Sequence, residues 1–175
     1  KHLYLIGGTM GVGKTTVSQI LKRELPDCVF LDGDWCWDMD PFQVTEETKG
    51  MVMENIAFLL SRFLRCSAYE NVIFCWVLHR QGIVDELLGK LDVENGEVSV
   101  RRFSLICGEA ELERRLRRDI DSGLRQEDVI ERSLSRLPLY DKVDAVKIDV
   151  TDLSPEQTAA LICGEAVGEH ARGVI

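Results

Sequence analysis

Residues 8–15 read Gly8-Thr9-Met10-Gly11-Val12-Gly13-Lys14-Thr15, which fits G-x-x-x-x-G-K-[ST] at every position. Glycines at that spacing let successive backbone N–H groups curl around phosphate oxygens, and a helix beginning there turns its positive end toward them. Lys14 can reach the β- and γ-phosphates, and the Thr15 hydroxyl can ligate Mg²⁺. A nucleoside triphosphate site is therefore expected, with ATP and Mg²⁺ as its ligands. Its contacts would come from Gly8, Met10, Gly11, Val12, Gly13, Lys14, Thr15 and Thr16.

Three other groups of residues can serve the same chemistry. Asp32-Gly33-Asp34 sets two carboxylates at i and i+2, and one of them, Asp34, can orient or deprotonate an attacking hydroxyl. Nine of the fourteen arginines fall between Arg101 and Arg136, a stretch without lysine. Guanidinium matches phosphate with a two-pronged fork, which ammonium cannot do. Within that stretch, Glu111, Glu113, Asp119 and Asp121 can pair with Arg114, Arg115, Arg117 and Arg118, so only one or two of those four should touch nucleotide. Arg125 follows a polar break at residues 121–125, where a segment can close over a transferring phosphate and exclude water. Finally, His79 and Arg80 follow an apolar run, at the carboxyl edge where open α/β sheets bind ligands. They are acceptor-site candidates, as are Trp35, Trp37 and Phe42 beside Asp34, although aromatic residues also serve as plain core.

Alternating elements must hold these groups. Leu3–Gly7 reads as a buried strand, and Val17, Ile20, Leu21 and Leu25 recur at helical spacing until Pro26. A short strand, Cys28–Leu31, precedes the acidic pair. Thr45 opens a long helix to Cys66, with Glu46 and Glu47 suited to its positive end. Asn71–Leu78 is a continuous apolar run, the pattern of a strand covered on both faces. A helix over Gln81–Lys90, a strand over Val98–Cys107, a charged helix over Glu109–Asp121 and a further helix through Leu137 follow. The chain closes with a strand over Ala145–Val150, a helix over Ser154–Ala166, and a frayed tail from Gly168. Five strands alternating with helices argue for a single three-layer α/β domain with a parallel sheet.

Composition narrows the setting. The net charge of −9 disfavours nonspecific binding to nucleic acid or to an anionic membrane. No apolar run approaches the roughly 18 residues of a membrane span, and Lys1–Ile6 is too short for a secretion signal. The six cysteines form no C-x-x-C pair, as expected of reduced thiols in a cytoplasmic protein.

With its elements in this order, nearly the whole chain resembles the small P-loop kinases related to shikimate, gluconate and nucleoside-monophosphate kinases. The phosphate loop and the D-x-D after the second strand carry the likeness. So does Arg136-Leu137-Pro138-Leu139-Tyr140, which is similar to the R-x-P-L-Y stretch of shikimate kinases. The resemblance implies a P-loop NTPase fold with a five-stranded parallel sheet, helices on both faces and a short helical lid at about residues 114–130. By that likeness Asp32 holds Mg²⁺ through water and Asp34 meets the acceptor hydroxyl. Arg136 binds the acceptor, and Arg125 is the lid arginine. Arg115, in an L-x-x-R position, flanks the adenine, with Asp152 and Pro155 in the loop on its other side.

Departures from the family pattern matter too. Shikimate kinases have a glycine run where this chain has Leu78-His79-Arg80, and Met51–Asn55 lacks their arginine–glutamate pattern, so shikimate is not the expected acceptor. No N-K-x-D of GTPases is present, and no acidic residue ends the apolar run at Leu78, as a motor-type ATPase would require. The expected activity is ATP-dependent transfer of the γ-phosphoryl group to a small-molecule hydroxyl or phosphate, by a monomer or homodimer. Two alternatives stand beside it: a nucleoside-monophosphate kinase, and a regulatory switch that binds ATP and hydrolyses it slowly or not at all.

Overall fold

The computed structural model describes residues 1–91, 93 and 96–172, the side chains of 165–172 excepted. Five strands form one sheet: β1 (His2–Gly7), β2 (Cys28–Asp32), β3 (Asn71–Trp76), β4 (Ser99–Ile106) and β5 (Val146–Asp149). Their spatial order is β2-β3-β1-β4-β5, and every pairing is parallel. β1 lies at the centre, with His2 in register with Asn71 on one side and Ser99 on the other. A central parallel strand is covered on both faces, which accounts for the unbroken apolar run Leu3–Ile6, all of it buried.

Side chains alternate along β1 and feed two cores. Tyr4 and Ile6 pack with α1 (Lys14–Glu24), α4 (Glu109–Asp121), α5 (Asp128–Leu134) and α6 (Pro155–Arg172). Leu3 and Leu5 pack with α2 (Glu46–Arg65) and α3 (Gln81–Gly89). Full burial of a leucine such as Leu21 or Leu60 contributes about 2 kcal/mol. The expected three-layer architecture, with helices on both faces of a five-stranded parallel sheet, is the one observed. Because α1 and α3 leave the adjacent strands β1 and β3 toward opposite faces, a crevice opens at the carboxyl ends of those two strands.

Several boundaries differ from expectation for local reasons. Helix α1 stops at Glu24 because Leu25, next to Pro26, is held extended. Thr45 caps α2 from outside the helix, and Thr48 bonds back to it in a reciprocal capping box. Strand β3 ends at Trp76, two residues early, where Leu78 takes a left-handed φ of 39°. Residues 33–37 form a 3₁₀ turn capped by the Asp32 side chain. Helix α5 ends at Leu134 rather than Leu137, and residues 137–142 form a second 3₁₀ turn, since Pro138 disfavours α geometry before it. The last helix runs to Arg172, so the fraying expected from Gly168 is not seen there; residues 173–175 lie outside the described residues.

Candidate active site

The loop of residues 8–13 links the end of β1 to the start of α1. Gly13 takes φ 105° and caps α1 without any side-chain bond, leaving the first amides of the helix free to meet an anion. The loop is fixed from behind by reciprocal bonds to α5. The Thr9 hydroxyl donates to the Ser133 carbonyl (3.2 Å), and the Ser133 hydroxyl donates to the Met10 carbonyl (3.3 Å). Both side chains are fully buried. Lys14 lies beneath the loop, its Nζ donating to the Thr9 carbonyl at 3.0 Å. Burial lowers its pKa, opposed by the nearby Cys75, Asp34 and Asp32. An ammonium held in so dry a place, with a backbone carbonyl as its hydrogen-bond partner, is well suited to a phosphate.

The acidic pair meets this loop at Thr15. The Thr15 hydroxyl donates to Asp32 Oδ2 at 2.7 Å, while Asp32 Oδ1 accepts the Asp34 amide at 3.0 Å. Asp32 is buried, with the Cys75 thiol below it; burial and Asp32 itself push that thiol up to about 12, so it stays protonated. A hydroxyl and a carboxylate side by side make an all-oxygen donor set, which suits a hard cation. Among the described residues no group of three or more His, Cys, Asp or Glu could hold a metal.

Asp34 keeps solvent access, as a group that meets substrate must, yet the protein around its carboxyl raises its pKa. Desolvation comes first; Asp32 adds to it, while Lys14, Arg125 and a donor N–H from the Trp76 indole oppose it. Desolvation disfavours the charged carboxylate, which makes it a stronger base.

A groove of about 710 Å³ runs from the loop across α4 to the segment after β5. Gly11, Val12, Gly13, Lys14, Thr15 and Thr16 form one wall, so all the loop residues expected at nucleotide line it except Gly8 and Met10, which lie behind. Arg115, Arg125, Asp152 and Pro155 line it as well. Arg125 Nε is held by Asp119 at 3.1 Å, while its charge bears on both Lys14 and Asp34. Of the four arginines on α4, Arg114, Arg115 and Arg118 line the groove, and Arg117 turns to Glu113. Arg115 also joins separate elements. It bonds Glu111 (2.6 Å), the Val12 carbonyl (3.3 Å) and the Val150 carbonyl (2.8 Å), tying the loop to the sheet's far edge. Bonds to Arg114 and Arg115 hold the Glu111 carboxyl down at about 2.

The expected acceptor residues divide. The charges of Arg136 and Arg80 both act on the His79 imidazole. Burial first, then those two charges, push His79 down to about 4, so it is neutral at ordinary pH; its Nδ1 is buried without a partner among the described residues. Arg136 rests on the phosphate loop, Nη1 2.9 Å from the Met10 sulfur. Trp35 stands 57% exposed with its ring edge-on to Phe30 at 5.3 Å, on the α1 side of the sheet. Trp37 packs instead into the opposite core and stacks edge-on with Phe42 at 5.8 Å. Two residues of the site carried no signal in the sequence: Ser133, which anchors the loop, and Trp76, whose ring lies against Gly33 between the two carboxylates. Tyr140, inside the R-x-P-L-Y stretch, is buried and donates to the Val77 carbonyl at 2.5 Å, pinning that stretch to the end of β3.

A parallel sheet in this order, with a glycine loop running from its central strand into a helix, defines a P-loop nucleotide-binding α/β protein. The profile described as an AAA domain matches residues 5–134, and the chain belongs to that family. Three solved structures share the fold over nearly their full length. The Deinococcus radiodurans tunicamycin resistance protein matches at a TM-score of 0.68 with 19% identity, covering 95% of each chain. A gluconokinase from Sinorhizobium meliloti matches at 0.63 and 16%, covering 97% of each. Shikimate kinase from Aquifex aeolicus matches at 0.56 and 17%, covering 98% of this chain and 99% of its own. No curated protein sequence matches the chain.

Proposed function

We propose that this protein is an ATP-dependent kinase that transfers the γ-phosphoryl group to a hydroxyl of a small molecule. One observation carries the reading: Thr15, on the wall of a groove lined by Lys14 and Arg125, is bonded to Asp32, which in turn holds the amide of Asp34. A switch that only binds nucleotide has no use for a carboxyl of raised pKa beyond its γ-phosphate.

Each group then has a part. The loop amides and Lys14 hold the phosphate chain, and Arg115, Asp152 and Pro155 receive the base end. Thr15 and Asp32 would hold Mg²⁺, which when bound neutralises charge on the phosphates. Asp34 accepts the hydroxyl proton as the acceptor oxygen bonds to the γ-phosphorus. The bond from that phosphorus to the bridging oxygen breaks, and ADP leaves with the electron pair. Arg125 stabilises charge on the equatorial oxygens during transfer. His79, Arg80 and Arg136 receive the acceptor.

The test is a coupled assay of ADP release with Mg²⁺·ATP over sugar acids, nucleosides, nucleoside monophosphates, shikimate and tunicamycin, the last because the protein of the 0.68 match confers resistance to it. The same compounds are added in a thermal-shift screen, where a ligand of the native state alone raises stability. An acceptor that both raises the melting temperature beyond Mg²⁺·ATP and drives ADP release establishes the reading. ATP binding with no acceptor-stimulated turnover across the panel rejects it in favour of a switch.

A further inference from the structure

Helix α4 presses one face against the glycine loop. Leu112 and Leu116 are fully buried there, and a methyl placed on Gly11 would come within 2.6 Å of Leu116 Cδ2 and 3.4 Å of Leu112 Cδ1. Arg115 shares that face, and all three nitrogens of its guanidinium are engaged. Nε donates to Glu111 at 2.6 Å, Nη1 to the Val12 carbonyl at 3.3 Å and Nη2 to the Val150 carbonyl at 2.8 Å. The Arg115 side chain is 17% exposed, and its Glu111 partner is held in turn by two bonds from Arg114. The anchor at Val150 is braced as well. The Gly108 amide, at the start of α4, donates to the Thr151 hydroxyl at 2.8 Å, and that hydroxyl donates to Asp149 at 2.5 Å. The guanidinium is thus a fixed bridge from α4 and the end of β5 to one carbonyl of the loop.

That carbonyl belongs to the same peptide unit as the Gly13 amide. In a trans peptide, as this one is, the C=O and the following N–H lie in one plane and point in opposite directions. Holding the Val12 carbonyl toward Arg115 therefore turns the Gly13 amide away from it. Gly13, at φ 105° and without a side chain, has little of its own to keep that plane from swinging.

We infer that Arg115 is a positioning residue for the phosphate cradle: by fixing the Val12 carbonyl it sets the direction of the Gly13 amide, apart from any contact it makes with a base. The inference rests on the nucleotide reading of the loop and not on transfer to an acceptor. Its test is calorimetric titration with Mg²⁺·ATP and with Mg²⁺ and inorganic tripolyphosphate, which offers the phosphates without a base. Arg115→Ala should weaken tripolyphosphate binding about tenfold, the scale of one lost bond to a charged group. Arg115→Lys keeps the charge but replaces a planar fork with a single point, which cannot span Val12 and Val150, so it should weaken binding by a similar factor. Affinity is read per folded molecule, well below the melting temperature, so a role in stability alone would leave it unmoved. Tripolyphosphate affinity unchanged in Arg115→Ala, with ATP weakened, overturns the inference, for Arg115 then serves the base alone. Parent affinity in Arg115→Lys also overturns it, because charge then suffices. Should Arg115→Ala fail to fold, Arg115→Lys decides by itself in either direction. A parent chain that binds neither ligand rejects the nucleotide reading, and the inference with it.

Discussion

The two ends of the site are built by different means. At the loop end, six consecutive residues, 11–16, line the groove, and the bonds that fix the loop are local or run to helices α4 and α5. At the proposed acceptor end, the side chains of Asp34, His79, Arg80 and Arg136 come from three separate connections. A backbone cradle accepts any triphosphate and tolerates change in its flanking side chains. A side-chain cradle is specific, and it can be rebuilt one residue at a time while the fold stays as it is. Fold relatives at 16–19% identity are what such a division permits.

Substitutions that separate binding from transfer break this comparison most sharply. Arg125→Ala should lower kcat about a thousandfold, the scale of a lost arginine finger, with ATP affinity changed little; single-turnover and equilibrium-binding measurements check it. A large loss of affinity instead would place Arg125 in the nucleotide cradle. Asp34→Asn should lower kcat about a hundredfold and leave ATP binding intact, by the same two measurements. Ser133→Ala removes the donor to the Met10 carbonyl and should cost about 1 kcal/mol in urea unfolding, with a rise in the dissociation constant for ATP. A loss of stability without that rise would mean the anchor serves only the fold.

Smaller effects test the acceptor end. The folded protein keeps His79 neutral to about pH 4, whereas the unfolded chain takes up that proton near pH 6.5. The unfolded state therefore binds more protons between those values, and stability falls as the solution is acidified through them. His79→Asn should lose less stability than the parent between pH 7 and pH 5 in parallel urea titrations; equal losses would show that His79 is not the group responsible. Smallest of all is Arg117→Ala. Its pairing with Glu113 is a surface contact, so melting temperature and ATP affinity should stay as they are.

Legibility followed the same division. The phosphate loop, the acidic pair and the strands could be read because each is a contiguous run whose meaning is local. The groove-lining role of Arg125 was also readable, since a polar break between helices is a local signal. What escaped was tertiary. The packing of Trp76 on Gly33 joins residues 43 positions apart, and the bonds of Ser133 to the loop span more than 120. Arg115 showed its place at the groove but not its three-way bond to Glu111, Val12 and Val150, because carbonyl acceptors leave no trace in residue type. The early end of β3 was hidden for a similar reason: Leu78 looks like any strand leucine until its backbone turns left-handed.

The paired bonds between Thr9, Met10 and Ser133 also bear on how the site opens. They clamp helix α5 to the glycine loop, so in the proposed kinase a flap carrying Arg125 would be hung on one jamb. Nucleotide would then enter and leave from the α4 side, with the pair of Arg125 and Asp119 as the latch. Loosening that latch should hasten product escape, while loosening the jamb should let the whole door sag.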